Sequence, residues 1–283
     1  MIPASRERVW RALVEPHELE KWWCDEAEVD PRPGGTYAFG GPHVYGGLSA
    51  SQTPRESRGG KILDFTPPER LEFSWQLGGV ETRVVYELAN ILEETELSVL
   101  QTADRAPAWD PGHGLASWWW PALPALRSFV EKGRPDLRLD FAAPADRDEI
   151  VLEVGVTTFP WIIWHKLTDG AQLARWWGRP AELDLRPGGR FVLGRAGAGP
   201  REVLDVDEGR RFVHDWVSKG GTRGRVEWTL EDTEEEVRLA VNDLGPRDAS
   251  LPRDAFLLHW SSMLLYLKQL SERGTTPWEY QDG

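Results

Sequence analysis

The chain has 283 residues, of which 40% are hydrophobic and 28% charged, and its formal net charge is −13. That length exceeds one ordinary module, the apolar content excludes wholesale disorder, and the negative field disfavours an unspecific grip on nucleic acid or anionic lipid. Splitting the charges at Phe141 leaves −7 and −6, so neither half hides a basic domain.

In chain order, residues 5 to 14 carry a short helical pattern, and a second follows a turn at Glu15-Pro16 and ends near Trp22-Trp23. A strand is predicted over Ala27 to Asp30. Pro33-Gly34-Gly35-Thr-Tyr then supplies a turn and a returning strand, with glycine permitting positive φ. Further strands are predicted at Lys61 to Phe65, Arg70 to Trp75, Thr82 to Leu88 and Glu94 to Leu100, a spacing that suits an antiparallel meander. A long helix closes the series: Leu115, Trp119, Ala122, Leu126 and Phe129 form one apolar stripe that ends at Gly133. Pro121 and Pro124 predict that this helix starts late or kinks.

The order then repeats. Val9 to Gly35 matches Ile163 to Gly189 at a constant offset of 154, with twelve of 27 positions identical, among them both Trp-Trp pairs and both Arg-Pro-Gly-Gly runs. The match resumes at offset 141, with Leu63-Asp64 against Leu204-Asp205 and Arg70 to Trp75 against Arg211 to Trp216. The first copy therefore carries thirteen extra residues in the Gly- and Ser-rich stretch from Gly40 to Gly60. A period this long marks a duplicated domain and not a solenoid. The second copy predicts a helix over 159–168, a second after Asp169-Gly170, and strands at Ala181 to Asp184, Glu202 to Val206, Arg211 to Trp216, Arg223 to Leu230 and Glu236 to Val241. Its closing helix carries the stripe Phe256, Trp260, Met263, Leu267 and Leu270, with Gly274 as the stop. The expected division is 1–133, a Pro- and charge-bearing linker over 134–147, a second domain over 148–274, and a tail over 275–283.

The run Val9-Trp-Arg-Ala-Leu, Pro16, Leu19, Trp22-Trp23, then Asp30-Pro-Arg-Pro-Gly-Gly-Thr-Tyr, Leu71 through Trp75 and a Trp-bearing closing helix resembles the START-like (SRPBCC) superfamily. Within it the likeness is greatest to the branch named after the activator of the ninety-kilodalton heat-shock protein's ATPase. The resemblance covers both copies and implies an α+β fold of two tandem helix-grip (START/Bet v-like) domains. Each would be a curved antiparallel sheet around a long C-terminal helix, with an apolar cavity between them. Family members open with a strand before the first short helix. The second copy has one at Glu149 to Thr157, whereas the first has only Ile2-Pro-Ala before Ser5, which leaves an unpaired edge. Leu137 to Phe141, alternating with period two, is the expected filler, or else a strand from elsewhere.

Catalytic constellations mostly fail. His17, His43, His113, His165, His214 and His259 show no zincin spacing and do not recur in register, so no metal and no cofactor is predicted. Cys24 is the only cysteine; it permits no internal disulfide and reads as an inert thiol. Gly40 to Gly47 lacks the lysine of a phosphate loop, and both Arg-Pro-Gly-Gly runs read as turn chemistry. The N-terminus has no apolar h-region and no window approaches a membrane span, so the expected location is cytoplasmic, with no membrane and no nucleic acid as partner.

What survives is the inner face of each sheet. Period two puts Leu71, Phe73 and Trp75 on one side, with Phe212, His214 and Trp216 as counterparts, so that Phe73 has become His214. A buried imidazole costs free energy without a hydrogen-bond partner: either His214 is a satisfied core histidine, or it meets a ligand or donates a proton. His259, beside Trp260, is a weaker candidate for the same cavity. Of the sixteen tryptophans, Trp10, Trp22, Trp164 and Trp176 read as scaffold. The candidate ligand-binding residues are Phe73, Trp75, Tyr86 and Trp119 in the first copy and Phe212, His214, Trp216, Trp228, His259 and Trp260 in the second, with Trp118 and Trp120 at the mouth. No catalytic residue is assigned. The favoured reading is a carrier, sensor or sequestering protein for a small hydrophobic or aromatic molecule, which indole walls would stack against. The alternatives are a polyketide cyclase- or aromatase-like enzyme with His214 moving protons, and a co-chaperone-like interaction protein. No protein partner is identified.

Overall fold

In a computed structural model the chain forms two compact units, 1–143 and 144–283. The structure describes residues 1–45, 59–77, 80–104, 118–142, 149–194, 201–217, 223–245 and 253–275. His113, Leu115, most of the Gly40 to Gly60 insertion, the end of the linker and all of the tail beyond 275 lie outside the described residues.

The first unit opens with α1 (Arg6–Val14) and α2 (Pro16–Trp22). Ser5 caps α1 by accepting the Arg8 N–H, and Pro16 sits in the first turn of α2, where no backbone donor is needed. The strands β1 (Glu26–Val29), β2 (Thr36–Gly40), β3 (Gly60–Thr66), β4 (Arg70–Leu77), β5 (Val80–Ile91) and β6 (Glu94–Ala103) form an antiparallel sheet in sequential order. Along β4 the side chains of Leu71, Phe73, Trp75 and Leu77 are buried while those between them are partly exposed, as the alternation predicts. The helix α3 (Trp119–Lys132) carries Pro121 in its first turn and Pro124 inside it, and Gly133 at φ +78° stops it by donating to Phe129.

The second unit repeats this with one addition. β7 (Glu149–Val156) precedes α4 (Pro160–Thr168) and α5 (Gly170–Trp177), then β8 (Ala181–Leu183), β9 (Arg190–Leu193), β10 (Arg201–Asp207), β11 (Arg211–Val217), β12 (Arg223–Asp232), β13 (Val237–Leu244) and α6 (Arg253–Arg273). The sheet order is β7-β13-β12-β11-β10-β9-β8. The scaffold repeats at the level of single bonds: Trp22 Nε1 donates to Ala12 O and Trp176 Nε1 to Lys166 O, each at 2.9 Å. The Gly-Gly pair recurs for one reason. Gly34 and Gly188 adopt φ of +82° and +78°, and a Cβ on Gly35 or Gly189 would lie 2.1 or 2.0 Å from the carbonyl of Asp30 or Asp184. None of the described helices is long and apolar enough to cross a membrane.

The missing first strand is not replaced by Leu137 to Phe141. In the second unit β7 pairs along its whole length with β13. In the first, the far side of β6 carries, among the described residues, only an isolated bridge between Ile2 and Thr95. Leu137 to Phe141 is not a strand, and it is laid on the unit elsewhere. Asp136 N donates to Ser128 Oγ, Arg138 Nη2 to Cys24 O and Phe141 N to Pro42 O, while Leu139 is buried. The segment is held by Leu139 and by these bonds and not by a sheet edge. Residues 136–141 of the expected linker are thus attached to the first unit.

Candidate functional site

In the first unit the predicted residues Phe73, Trp75, Tyr86 and Trp119 are all buried between the sheet and α3. They form one aromatic cluster: Trp75 lies 5.9 Å from both Trp23 and Trp119 and 5.4 Å from Phe39, and Tyr86 lies 5.5 Å from Phe73 and 5.8 Å from Trp119, mostly edge-to-face. Trp119 Nε1 donates to Gln101 Oε1 at 2.8 Å, and Gln101 Nε2 donates to Thr82 Oγ1. Among the described residues four other donors have no hydrogen-bond partner: Nε1 of Trp23, Trp75 and Trp118 and the Tyr86 hydroxyl. Each such buried group costs about 1–3 kcal/mol. Burial also holds the Tyr86 phenol well above its ordinary pKa, so it remains a donor.

Among the described residues a cleft of about 20 Å³ is lined by Trp22, Trp23, Trp118, Ala122, Leu137 and Leu139 among others, room for roughly one water. Aromatic rings pack against one another where the resemblance implies a cavity. Over the cleft, Phe141 packs 5.5 Å from Tyr45 and 5.7 Å from Trp118, which places Trp118 at the mouth. His43 Nδ1 stands 2.8 Å from the Asp25 carboxylate. Cys24 is fully buried and desolvation pushes its thiol up to about 12, so it is inert.

In the second unit Phe212, His214, Trp228 and Trp260 are buried, and Trp216 and His259 are half-buried. His214 is a satisfied core histidine. Its Nδ1 lies 2.8 Å from the Asp215 carbonyl, which can only accept, so the proton is on Nδ1, and Nε2 accepts from Trp228 Nε1 at 3.4 Å. Burial first, and the Arg201 charge as well, hold its pKa down at about 3 against the pull of that carbonyl. It offers no proton near neutrality. His259 belongs to a neighbouring cluster, 5.6 Å from Trp177 and 5.7 Å from Trp216, whereas His214 packs on Phe191 and Phe212. The two histidines have no ring contact with each other.

Strand register defines which positions of the two interiors correspond. Ile62, Phe73, Val84 and Gln101 face one another across β3 to β6, and Val203, His214, Val226 and Asp243 across β10 to β13. Gly60 opposes Tyr37 as Arg201 opposes Phe191. The second interior has therefore exchanged Gly60, Phe73, Ser74 and Gln101 for Arg201, His214, Asp215 and Asp243. Asp243 Oδ2 accepts from Trp260 Nε1 at 2.8 Å, where Gln101 serves Trp119. Sequence reasoning found His214 alone among these. It also missed Trp23 and Trp177 as interior residues, although their recurrence was a visible signal. Among the described residues no group of three His, Cys, Asp or Glu side chains is placed to hold a metal.

Similar solved structures include protein MLL2253 from Mesorhizobium loti, 23% identical with a TM-score of 0.40 over 44% of this chain and 97% of that one. DynU16, a putative protein in the dynemicin biosynthetic locus, is 21% identical with a TM-score of 0.40 over 96% of each chain. CalU16 from Micromonospora echinospora is 22% identical with a TM-score of 0.37 over 47% of this chain and 78% of that one. Comparison with curated proteins finds no match. The family model described as "Activator of Hsp90 ATPase homolog 1-like protein" matches residues 3–122 and again 159–272.

Proposed function

The chain belongs to the activator of Hsp90 ATPase homolog 1-like family, twice over, and from that premise we propose that it binds a flat aromatic small molecule bearing hydrogen-bond acceptors inside its first unit. The observation that carries this reading is the set of four unpartnered donors, on Trp23, Trp75, Trp118 and Tyr86, within one aromatic cluster. A ligand with carbonyl or ether oxygens would satisfy donors that the protein leaves unmet, and the indole faces would stack on its rings. Entry is by the cleft lined by Leu137 and Leu139. Binding is favoured over proton-transfer catalysis because His214, the histidine best placed for such work, is neutral and has both ring nitrogens engaged.

The test is a fluorescence titration of the whole protein with 9-fluorenone, a neutral flat ketone, beside native mass spectrometry of freshly purified material. Saturable tryptophan quenching is expected, weakened several-fold by Trp75→Phe and by Tyr86→Phe, each of which removes one donor. Absence of saturable quenching, together with no co-purifying small molecule, refutes the proposal.

A further inference from the structure

The second interior contains a charged group that the first lacks. Arg201, at the start of β10, is only 6% exposed, and its guanidinium carbon lies 4.0 Å from the centre of the Trp216 ring. Stacking on the indole fixes the plane of the guanidinium, yet among the described residues its Nε and Nη1 have no hydrogen-bond partner. Asp215 is the carboxylate that acts on it electrostatically. The Asp215 carboxylate accepts from the Glu202 N–H, at the position where Ser74 Oγ accepts from Lys61 N in the first unit. Asp215 thus inherits a backbone-holding role, whereas Arg201 stands where the first unit has glycine. Asp243 is three strands away across the sheet and holds Trp260 Nε1. A buried guanidinium does not shed its proton near neutrality, so an unmet N–H of this kind is an acceptor site for an anion.

We propose that the second unit contains a separate site in which Arg201 receives the carboxylate of a flat aromatic acid whose rings lie against Trp177, Trp216 and Trp260. One cation matches a planar monoanion; a phosphate dianion would call for a second positive group, and Asp215 and Asp243 make the surroundings less hospitable to it. The site shares with the reading above only the premise that these interiors take ligands, and it differs in unit, in residues and in ligand charge.

The experiment compares 2-naphthoate with its methyl ester by calorimetry on the full-length protein. The acid is expected to bind at least tenfold more tightly, with Arg201→Gln abolishing the preference and Arg201→Lys, which keeps the charge but not the planar donors, reducing it. Equal affinity of acid and ester for the unmodified protein overturns the proposal without any variant. So does a preference that survives Arg201→Gln, or one that Trp75→Phe removes, which would place the acid in the first unit. Fluorenone quenching is read in the same samples. Naphthoate binding with neither fluorenone binding nor a co-purifying small molecule overturns the first-unit reading alone, and fluorenone binding without naphthoate binding overturns this one alone.

Discussion

Trp228 Nε1 donates to His214 Nε2 at 3.4 Å, while at the matching positions of the first unit the Tyr86 hydroxyl stands near Phe73 and finds no acceptor among the described residues. One sheet position thus satisfies its neighbour in one copy and leaves it unmet in the other. The two interiors differ in polarity while sharing a backbone plan.

The buried imidazole makes the second unit sensitive to acid. His214 has a folded pKa of about 3 against 6.5 for the free side chain, so the unfolded chain takes up the proton first. The stability that His214 allows is therefore full above pH 6.5 and falls as pH drops towards 3, by up to about 1.4 kcal/mol per pH unit. His214→Phe removes this dependence. Urea unfolding at pH 7.5, 5.5 and 4.5 should show the stability gap between wild type and variant moving in the variant's favour as pH falls; a constant gap contradicts a neutral, buried His214.

Tyr86→Phe should make the ligand-free protein more stable by about 1–3 kcal/mol, because it removes a buried hydroxyl that no described group satisfies. Thermal unfolding monitored by tryptophan fluorescence measures this. A loss of more than 1 kcal/mol would mean that the hydroxyl has a partner.

The segment over the cleft is testable through Cys24, whose carbonyl accepts from Arg138. Leu139→Ala should cost about 2 kcal/mol or more for a buried leucine. Leu139→Asp should make the otherwise unreactive thiol modifiable by a disulfide reagent under native conditions. Identical thiol kinetics in wild type and Leu139→Asp would show that residues 137–141 do not cover this part of the unit.

Gly35→Ala and Gly189→Ala should each destabilise their own unit by at least about 1–3 kcal/mol, since the new methyl meets a backbone carbonyl at 2.1 or 2.0 Å, which cannot swing aside as a side chain could. Chemical denaturation of the two variants checks this, and a neutral result at either site would contradict the turn geometry.

Much of the fold was legible because it is written twice. The repeat of Trp10, Trp22 and the Arg-Pro-Gly-Gly run revealed two domains, and the alternation along Leu71 to Trp75 showed which face is inner. Leu137 to Phe141 misled because period two in a short extended segment describes side-chain burial and says nothing of what its backbone bonds to. Arg201 and Asp243 were hidden for a different reason. Arg201 follows the stretch in which the copies differ in length, and strand register, which pairs Gly60 with Tyr37 and Arg201 with Phe191, emerges only from the folded sheet. A charge on a strand ordinarily reads as solvent-facing, and only the indole beneath Arg201 reveals otherwise.

Gly60 has a consequence for engineering the two copies. A Cβ there would lie 2.1 Å from Ser74 Oγ and 2.6 Å from the Ser74 carbonyl, so any side chain at this position requires the local backbone of the first unit to shift. The cation of the second unit therefore cannot be transplanted by the Gly60→Arg substitution alone: the strand spacing that accommodates Arg201 has to come with it.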